Sequence, residues 1–485
     1  MAKKICIVGG GLAGGIVAAK LAAAGHAVTL LEQGTLPKPL MPTDETWEGG
    51  GLKSTFTRGE GLGGSSNFWH GGLIVLDESD IDGRSPAGTT TKFPISYEQL
   101  REHYREAAEL LSGGEIRLDD LAPAARTGVI DVDEKFFEFK PLIFPSDPFS
   151  TRGLLEAARD RHGLEIVPFT ADTVLFSEAS RASAVEGFHH GEGRRMRIPA
   201  DVVVICAGGI GSPKILLKAA TTNPLLQRLP IGKNLIDHPT GFVFKAKLKR
   251  RRNLKAMFGT PYGQSGRFRR RWGLKLRAEH LDTALERNHA LYLRPAFTMR
   301  NPRDYNALKN KLVWHRGKKV TLWEKLQLIK YLDLLMEALN FRFGVFPSVR
   351  HVAGFVFAEQ LPDAENAITL KPDGTFTVHW SISRENNESL RRFLMAFFER
   401  HPDLFEEFVL FPDLLDSGAH HSGGCRMAST ESDGVVDADL RVFGTENLFV
   451  ADGSVLGFSG HANTGLTIAA LALRCCETVQ RVASA

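Results

Sequence analysis

The sequence predicts an α/β protein built in at least two units, and three observations carry that prediction. A short apolar strand, a glycine turn and a helix follow one another at the N-terminus, and the same order returns near residue 207. Between residues 240 and 405 the pattern changes to a mixture of basic, alternating and helical stretches. The 485 residues also exceed what one hydrophobic core fills, about 250–300 residues.

The N-terminal unit supplies the first element. Ile5–Val8 reads as a buried strand, Ile16–Ala24 as a helix rich in Ala and Leu, and Ala27–Leu31 as a second strand closed by Glu32. The turn between them is Gly9-x-Gly11-x-x-Gly14. Gly9 permits a tight turn, Gly11 lets a pyrophosphate approach the backbone, and Gly14 lets helix and strand pack closely. The helix N-terminus offers unpaired N–H groups to phosphates, and Glu32 can accept hydrogen bonds from a ribose. This is a Rossmann-like dinucleotide fingerprint, which by itself does not separate FAD from NAD.

Further elements follow in order. Arg58–Gly72 (RGEGLGGSSNFWHGG) is a glycine-rich loop suited to a close ligand, with Phe68 and Trp69 expected to be buried. Glu98–Leu111 reads as a helix with a capping box of Ser96 and Gln99. Residues 151–166 read as a helix and a short strand. Ala200–Ala207 is a buried strand, followed by glycines at 208, 209 and 211 and a helix over Lys214–Ala220. Residues 230–239 (PIGKNLIDHP) form a turn-rich connection. Thr321–Leu339 carries an apolar stripe at helical spacing, and 352–382 reads as a β-hairpin turning at Lys371–Gly374. His189 and His190 read as an exposed turn. Near the C-terminus, Leu448–Val450 is a short strand ending at Asp452-Gly453, and Thr464–Arg474 is a helix with Asn463 or Thr464 as N-cap. His420 and Asn463 lie on separate loops placed to converge.

These stretches together resemble the glucose–methanol–choline (GMC) family of FAD-dependent oxidoreductases, bacterial type. The resemblance rests on the Gly9/Gly11/Gly14/Glu32 unit, GLGGSS at 61–66, FPISYEQL at 93–100, AGGIGSP at 207–213 and IGKNLIDHP at 231–239. It extends to HHSGGCRM at 420–427 and to the VADGS and HANTGLTIAALALR stretches at 450–454 and 461–474. Within 240–400 only EQLPDAENAITL at 359–370 matches. The resemblance implies a Rossmann-like FAD-binding domain, discontinuous in sequence, over residues 1–75, 146–240 and 406–485. It implies an α+β substrate domain with an antiparallel sheet over 76–145 and 241–405.

It also implies bound, non-covalent FAD and oxidation of an alcohol to a carbonyl, with a proton removed and a hydride passed to the flavin. A secondary hydroxyl of a sugar, glycoside or similar polar compound is the expected substrate class. His420 falls at the family's active-site histidine and Asn463 at its companion. Gly63, Gly64, Ser65, Ser66, Val174, Gly208, Asp452, Gly453 and Thr464 fall at cofactor positions. Phe68 stands near where some members attach FAD through a histidine, and His70 is the remaining anchor candidate.

The residues also carry simpler readings. A neutral imidazole suits proton removal near pH 7, so His420 is the candidate base; its alternative is a satisfied core histidine. Asn463 either holds the substrate oxygen or caps the helix. The N–H groups opening that helix favour negative charge, which suits the pyrimidine end of a reduced flavin. His421 reads as supporting, Cys425 as packing, and Glu359 as an acid near the substrate or a solvated or hinge carboxylate. A flavin lyase without net redox chemistry, or a non-catalytic protein of the same fold, stands beside the oxidoreductase reading.

Composition narrows the partners. With 43% hydrophobic and 24% charged residues, disorder, collagen-like repeats and coiled coil are excluded. Five cysteines without metal-ligand spacing point to a reducing compartment and to no metal site. No apolar run reaches the roughly 18 residues of a membrane span, and a cytoplasmic placement is expected, with contact at the inner membrane left open. A net charge of +4 implies no nucleic-acid partner. That total conceals an asymmetry, because Lys245–Arg277 holds thirteen Lys or Arg and no acid. A solvated basic loop, an anionic lipid surface and an acidic substrate or partner are the readings of that segment. The electron acceptor (oxygen, a quinone or a redox protein) has no sequence signal.

Overall fold

The computed structural model describes residues 3–49, 58–83, 93–128, 130–258, 268–281, 287–299, 333, 347–411 and 415–484. Two large sheets organise them. The first has seven strands in the spatial order Leu448–Val450, Val202–Ile205, Lys4–Val8, Ala27–Glu32, Glu165–Glu178, Arg181–His189 and Arg194–Pro199. The first five are parallel, and the last two continue as an antiparallel ribbon.

The parallel strands read as unbroken apolar runs because both faces are covered. Ile5, Ile7, Val202, Val203, Val204 and Leu448 are 1% exposed or less. The helix Leu12–Ala23 packs beside this sheet, with Thr151–His162 and Gly465–Ser484 each packed against it. The crossovers put the glycine turns at the C-terminal ends of the strands, where open α/β sheets bind ligands.

The second sheet has six strands, in the order Phe405–Leu410, Thr240–Arg252, Val349–Phe357, Ala290–Ala296, Phe268–Leu276 and Phe137–Pro145, antiparallel throughout. The helix Arg384–Arg400 covers it, burying Leu390, Phe393, Leu394, Phe397 and Phe398 at helical spacing. Ser383 caps that helix by accepting from the Asn386 N–H at 3.2 Å.

Several expectations change. The strand after Thr151–His162 is long rather than short, because alternation runs on to Glu178. The glycines at 208, 209 and 211 lie inside a helix, Gly208–Ala220, instead of preceding it. Residues 352–382 are not one hairpin. Val349–Phe357 joins the six-stranded sheet, and only Ala367–Leu370 and Phe376–His379 pair across the Lys371–Gly374 turn. The expected boundary at 406 falls inside the strand Phe405–Leu410, which edges the six-stranded sheet. Phe68 and Trp69 are half-buried. The capping box stands as read, with Gln99 N–H to Ser96 Oγ at 3.2 Å and Ser96 N–H to Gln99 Oε1 at 2.8 Å. The apolar stripe of 321–339 lies outside the described residues except for Asp333.

Candidate active site

The first half of the site is a glycine cradle. A Cβ on Gly14 would sit 1.9 Å from the Gly9 carbonyl oxygen, so helix and strand approach as the motif requires. Gly11, by contrast, faces open space with nothing within 4 Å. The second glycine loop lies on the first, with Gly63 N–H to Gly10 O at 2.9 Å. Its serines work inside the loop: Ser65 Oγ accepts from Gly59 N–H at 3.0 Å, and Ser66 Oγ donates to Gly63 O at 2.6 Å. Trp69 runs from this loop to the start of the last helix, where it packs on Gly465.

Glu32 closes its strand as expected, at 6% exposure. It accepts from the N–H groups of Gly10 (2.7 Å), Gly61 (3.1 Å) and Gly34 (3.3 Å). Burial pushes its carboxyl up despite those donors.

The C-terminal strand contributes Asp452, which gathers four donors. Gly208 N–H (2.8 Å) and Ser212 Oγ (2.5 Å) reach one oxygen. Ser454 N–H (2.8 Å) and Ser454 Oγ (2.6 Å) reach the other. Gly208 itself faces open space at positive φ. Val174 is 1% exposed and packed in the core of the first sheet. His70 is exposed. The open faces at Gly11 and Gly208, the helix N-terminus at Leu12 and the carboxylate of Glu32 closing its strand fit a dinucleotide of FAD's kind.

The second half is a pair of loops holding His420. Residues 236 and 240 bridge to 422 and 416, with Ile236 N–H to Ser422 O at 3.0 Å and Thr240 N–H to Asp416 O at 2.8 Å. The loops are so close that a Cβ on Gly418 would meet the His238 carbonyl oxygen at 2.2 Å. Between them, Ala419 is held at φ +63°, an uncommon backbone state for a non-glycine residue. Asp237 lies fully buried below this turn. It accepts from His420 N–H at 2.7 Å, His238 N–H at 2.6 Å and the Ser417 hydroxyl. Its own N–H donates to Gln360 Oε1 at 2.9 Å, and Trp380 Nε1 donates to the same oxygen at 2.8 Å.

His420 is half-buried, and its buried Nδ1 has no hydrogen-bond partner among the described residues. Its ring faces His238 at 5.6 Å and stacks near Phe357 at 6.4 Å. Burial lowers its pKa while the Asp237 charge works the other way. Burial likewise pushes His421 down to about 4 and His238 down to about 3. All three rings are therefore neutral near pH 7, the state a general base needs. The His421 backbone crosses both Gly209 and Gly453 closely, so the histidine loop rests on the cofactor side of the fold. Cys425 is fully buried, as a packing residue should be.

The loop carrying Asn463 meets His420 through His238, whose Nε2 donates to Gly460 O at 2.6 Å. Asn463 is half-buried, and among the described residues its side chain makes no hydrogen bond. It is not the cap. The Thr464 carbonyl accepts the first helical bond from Ile468 N–H at 2.9 Å, which leaves Asn463 available to a ligand.

Behind this loop lies a buried ion network absent from the sequence reading. Asp77 binds Lys140 at 2.7 Å and Lys275 at 2.9 Å, and His461 lies 3.7 Å from Asp77 and 3.6 Å from Asp80. Two ammonium groups on Asp77 disfavour a metal cation at this cluster. Glu359 corrects an expectation: it is fully buried, not solvated, and accepts from Asn288 N–H at 2.6 Å. Asp237, His238, Ser417 and Gln360 were also missed. The available signal was an Asp-His pair inside a stretch already matched to the family.

Comparisons with known proteins point to one family. The models of the GMC oxidoreductase family match residues 149–240 and 362–472. A 2-methyl-1,2-propanediol dehydrogenase of Mycolicibacterium austroafricanum is 28% identical over 309 residues, covering 60% of this chain and 49% of its own. The fructose dehydrogenase large subunit of Gluconobacter japonicus is 26% identical over 336 residues, covering 66% and 54%. The chain thus matches about half the length of these relatives. The structure of pyridoxine 4-oxidase from Mesorbium loti superposes with a TM-score of 0.57 at 17% identity, covering 99% of each chain, and so shares the fold. With both family regions present and in order, the chain belongs to the GMC oxidoreductase family.

Proposed function

We propose that the protein binds FAD and oxidises an alcohol to a carbonyl, with His420 as the base. The observation that carries this reading is the buried His420 Nδ1, unpartnered among the described residues, on the loop that crosses Gly209 and Gly453. Gly9, Gly11, Gly14, Glu32, Gly63, Gly64, Gly208, Asp452 and Gly453 would hold FAD, with Ser65 and Ser66 shaping the loop. When bound, FAD supplies the hydride acceptor. His420 takes the hydroxyl proton, and Asn463 holds the substrate oxygen. The N-terminus of the helix Gly465–Ser484, opened by Thr464, favours negative charge beside Asn463.

The half of the chain built on the seven-stranded sheet is the cofactor domain, and the half built on the six-stranded sheet selects the substrate. A polar hydroxyl compound is favoured, because the relatives above are named for a diol and for a sugar. The purified protein should show two flavin bands in the visible spectrum. A panel of polyols, sugars and glycosides added without oxygen should bleach them. A flavin that no alcohol bleaches would favour a lyase, and a colourless protein that cannot be reconstituted would favour a binding role.

For the acceptor, reoxidation by oxygen, a quinone dye or a redox protein should be compared. The basic segment reads best as structural. Lys245, Lys247, Lys249, Arg270, Lys275 and Arg277 each pair with an acid elsewhere in the chain or close by. Pelleting with anionic vesicles at low salt would reverse that reading. No helix among the described residues is long and apolar enough to cross a membrane. A cytoplasmic placement, with or without contact at the inner membrane, is tested by cell fractionation.

A further inference from the structure

We propose that Asp237 is the positioning residue of the base, its buried carboxylate fixing the His420 loop and steadying the imidazole once it carries the substrate proton. This rests on the reading of His420 as the base. Asp237 is 0% exposed, and among the described residues no lysine or arginine pairs with it. A buried carboxylate without a cation is costly unless donors and nearby positive charge compensate it. Three donors are present, on His238, Ser417 and His420. The hydrogen bond to His420 is on its main chain, not its ring. The carboxylate is therefore tied to the same residue whose ring becomes cationic.

Among the described residues, Asp237 is the fixed charge that acts on the His420 ring. His238 lies on its own loop, and His420 and His421 lie on the facing loop. Phe357 and Gln360 are uncharged, and Glu359 faces Asn288. Arg58 and Glu45 lie behind His421 and pair with each other. A proton moved from substrate to His420 creates an imidazolium beside a carboxylate in a site of low dielectric, where opposite charges interact strongly. Asp237 holds its charge although it is fully buried. Burial pushes its carboxyl up, but the histidines, the Ser417 hydroxyl and the His238 N–H outweigh burial and hold it below its ordinary value.

The test is Asp237→Asn, which is nearly isosteric and keeps an oxygen for the two N–H groups. The FAD-bound protein, labelled with 13C-histidine, is titrated by NMR, with the His420 signal assigned from His420→Asn. Loss of a negative charge should move the His420 midpoint down by about one pH unit. The acid limb of the anaerobic FAD reduction rate should move the same way, with the plateau about three- to tenfold lower. Ser417→Ala, which removes a donor but keeps the carboxylate, should leave the midpoint unchanged. If Asp237→Asn does not retain FAD, Asp237→Ser removes the same charge and carries the same expectation. An unmoved His420 midpoint in these variants overturns the proposal. A moved midpoint in a protein whose flavin no alcohol reduces would sustain the role of Asp237 and sink the oxidation instead.

Discussion

Removing the Asp77 carboxylate should cost more stability than any surface change, and the structure says how much. Lys140 has 3% of its side chain exposed, and Asp77 is its sole acceptor among the described residues. Lys275, at 1%, also reaches Glu138 at 2.7 Å and Leu276 O at 3.0 Å. Asp77→Ala therefore strands one ammonium completely and weakens the surroundings of a second. Breaking a buried pair by deleting one partner costs about 3–5 kcal/mol, against about 5–15 kcal/mol for a whole domain. By differential scanning calorimetry, the transition of the unit holding the six-stranded sheet should fall by roughly 10 °C. Asp77→Ala with Lys140→Met should recover most of that loss, because no buried charge is then left alone on Lys140. Equal transitions for the single and double variants would refute the argument. The pH dependence has a definite sign. Burial pushes the Asp77 carboxyl up, but Lys140 and Lys275 prevail and hold it well below its ordinary value. The stabilisation is complete above the unfolded value near 4, and it is lost only as pH falls through the depressed folded value.

Other outcomes follow from close contacts in the site. Gly14→Val places a branched side chain where even a Cβ would lie 1.9 Å from the Gly9 carbonyl oxygen, so the purified variant should lack visible flavin absorbance. Gly418→Ala pushes the histidine loop off His238, where the Cβ contact would be 2.2 Å. It should retain FAD yet reduce it about a hundredfold more slowly, which stopped-flow absorbance measures. Asp452→Ala leaves four buried donors on Gly208, Ser212 and Ser454 unanswered. A loss of about 3 kcal/mol or more in denaturant stability is expected, with weaker FAD retention measured by ultrafiltration.

What the sequence revealed and concealed divides along physical lines. Local chemistry was legible: the Gly9–Glu32 unit, the Ser96–Gln99 box, the Lys371–Gly374 turn and the His420 loop each carry their signal within a few residues. Long-range compensation was not. The basic run over Lys245–Arg277 looked like a bare charged patch because its acids, Asp77, Glu138, Asp120, Asp403 and Glu406, come from distant positions. Gly208, Gly209 and Gly211 have poor helix propensity, yet packing draws them into the helix Gly208–Ala220. Asp237 sits in a turn with no periodicity, so its grip on His420, 183 positions away, has no local trace.

The central claim is that His420 takes the proton when an alcohol is oxidised. Anaerobic stopped-flow at 450 nm (an approximate position for the flavin band, read as its loss on reduction) tests it most directly, comparing the wild-type protein with His420→Ala on the best alcohol of the panel. Both proteins should hold FAD, and the variant should be reduced about 10²–10⁴-fold more slowly. Equal reduction rates in the two proteins would contradict it.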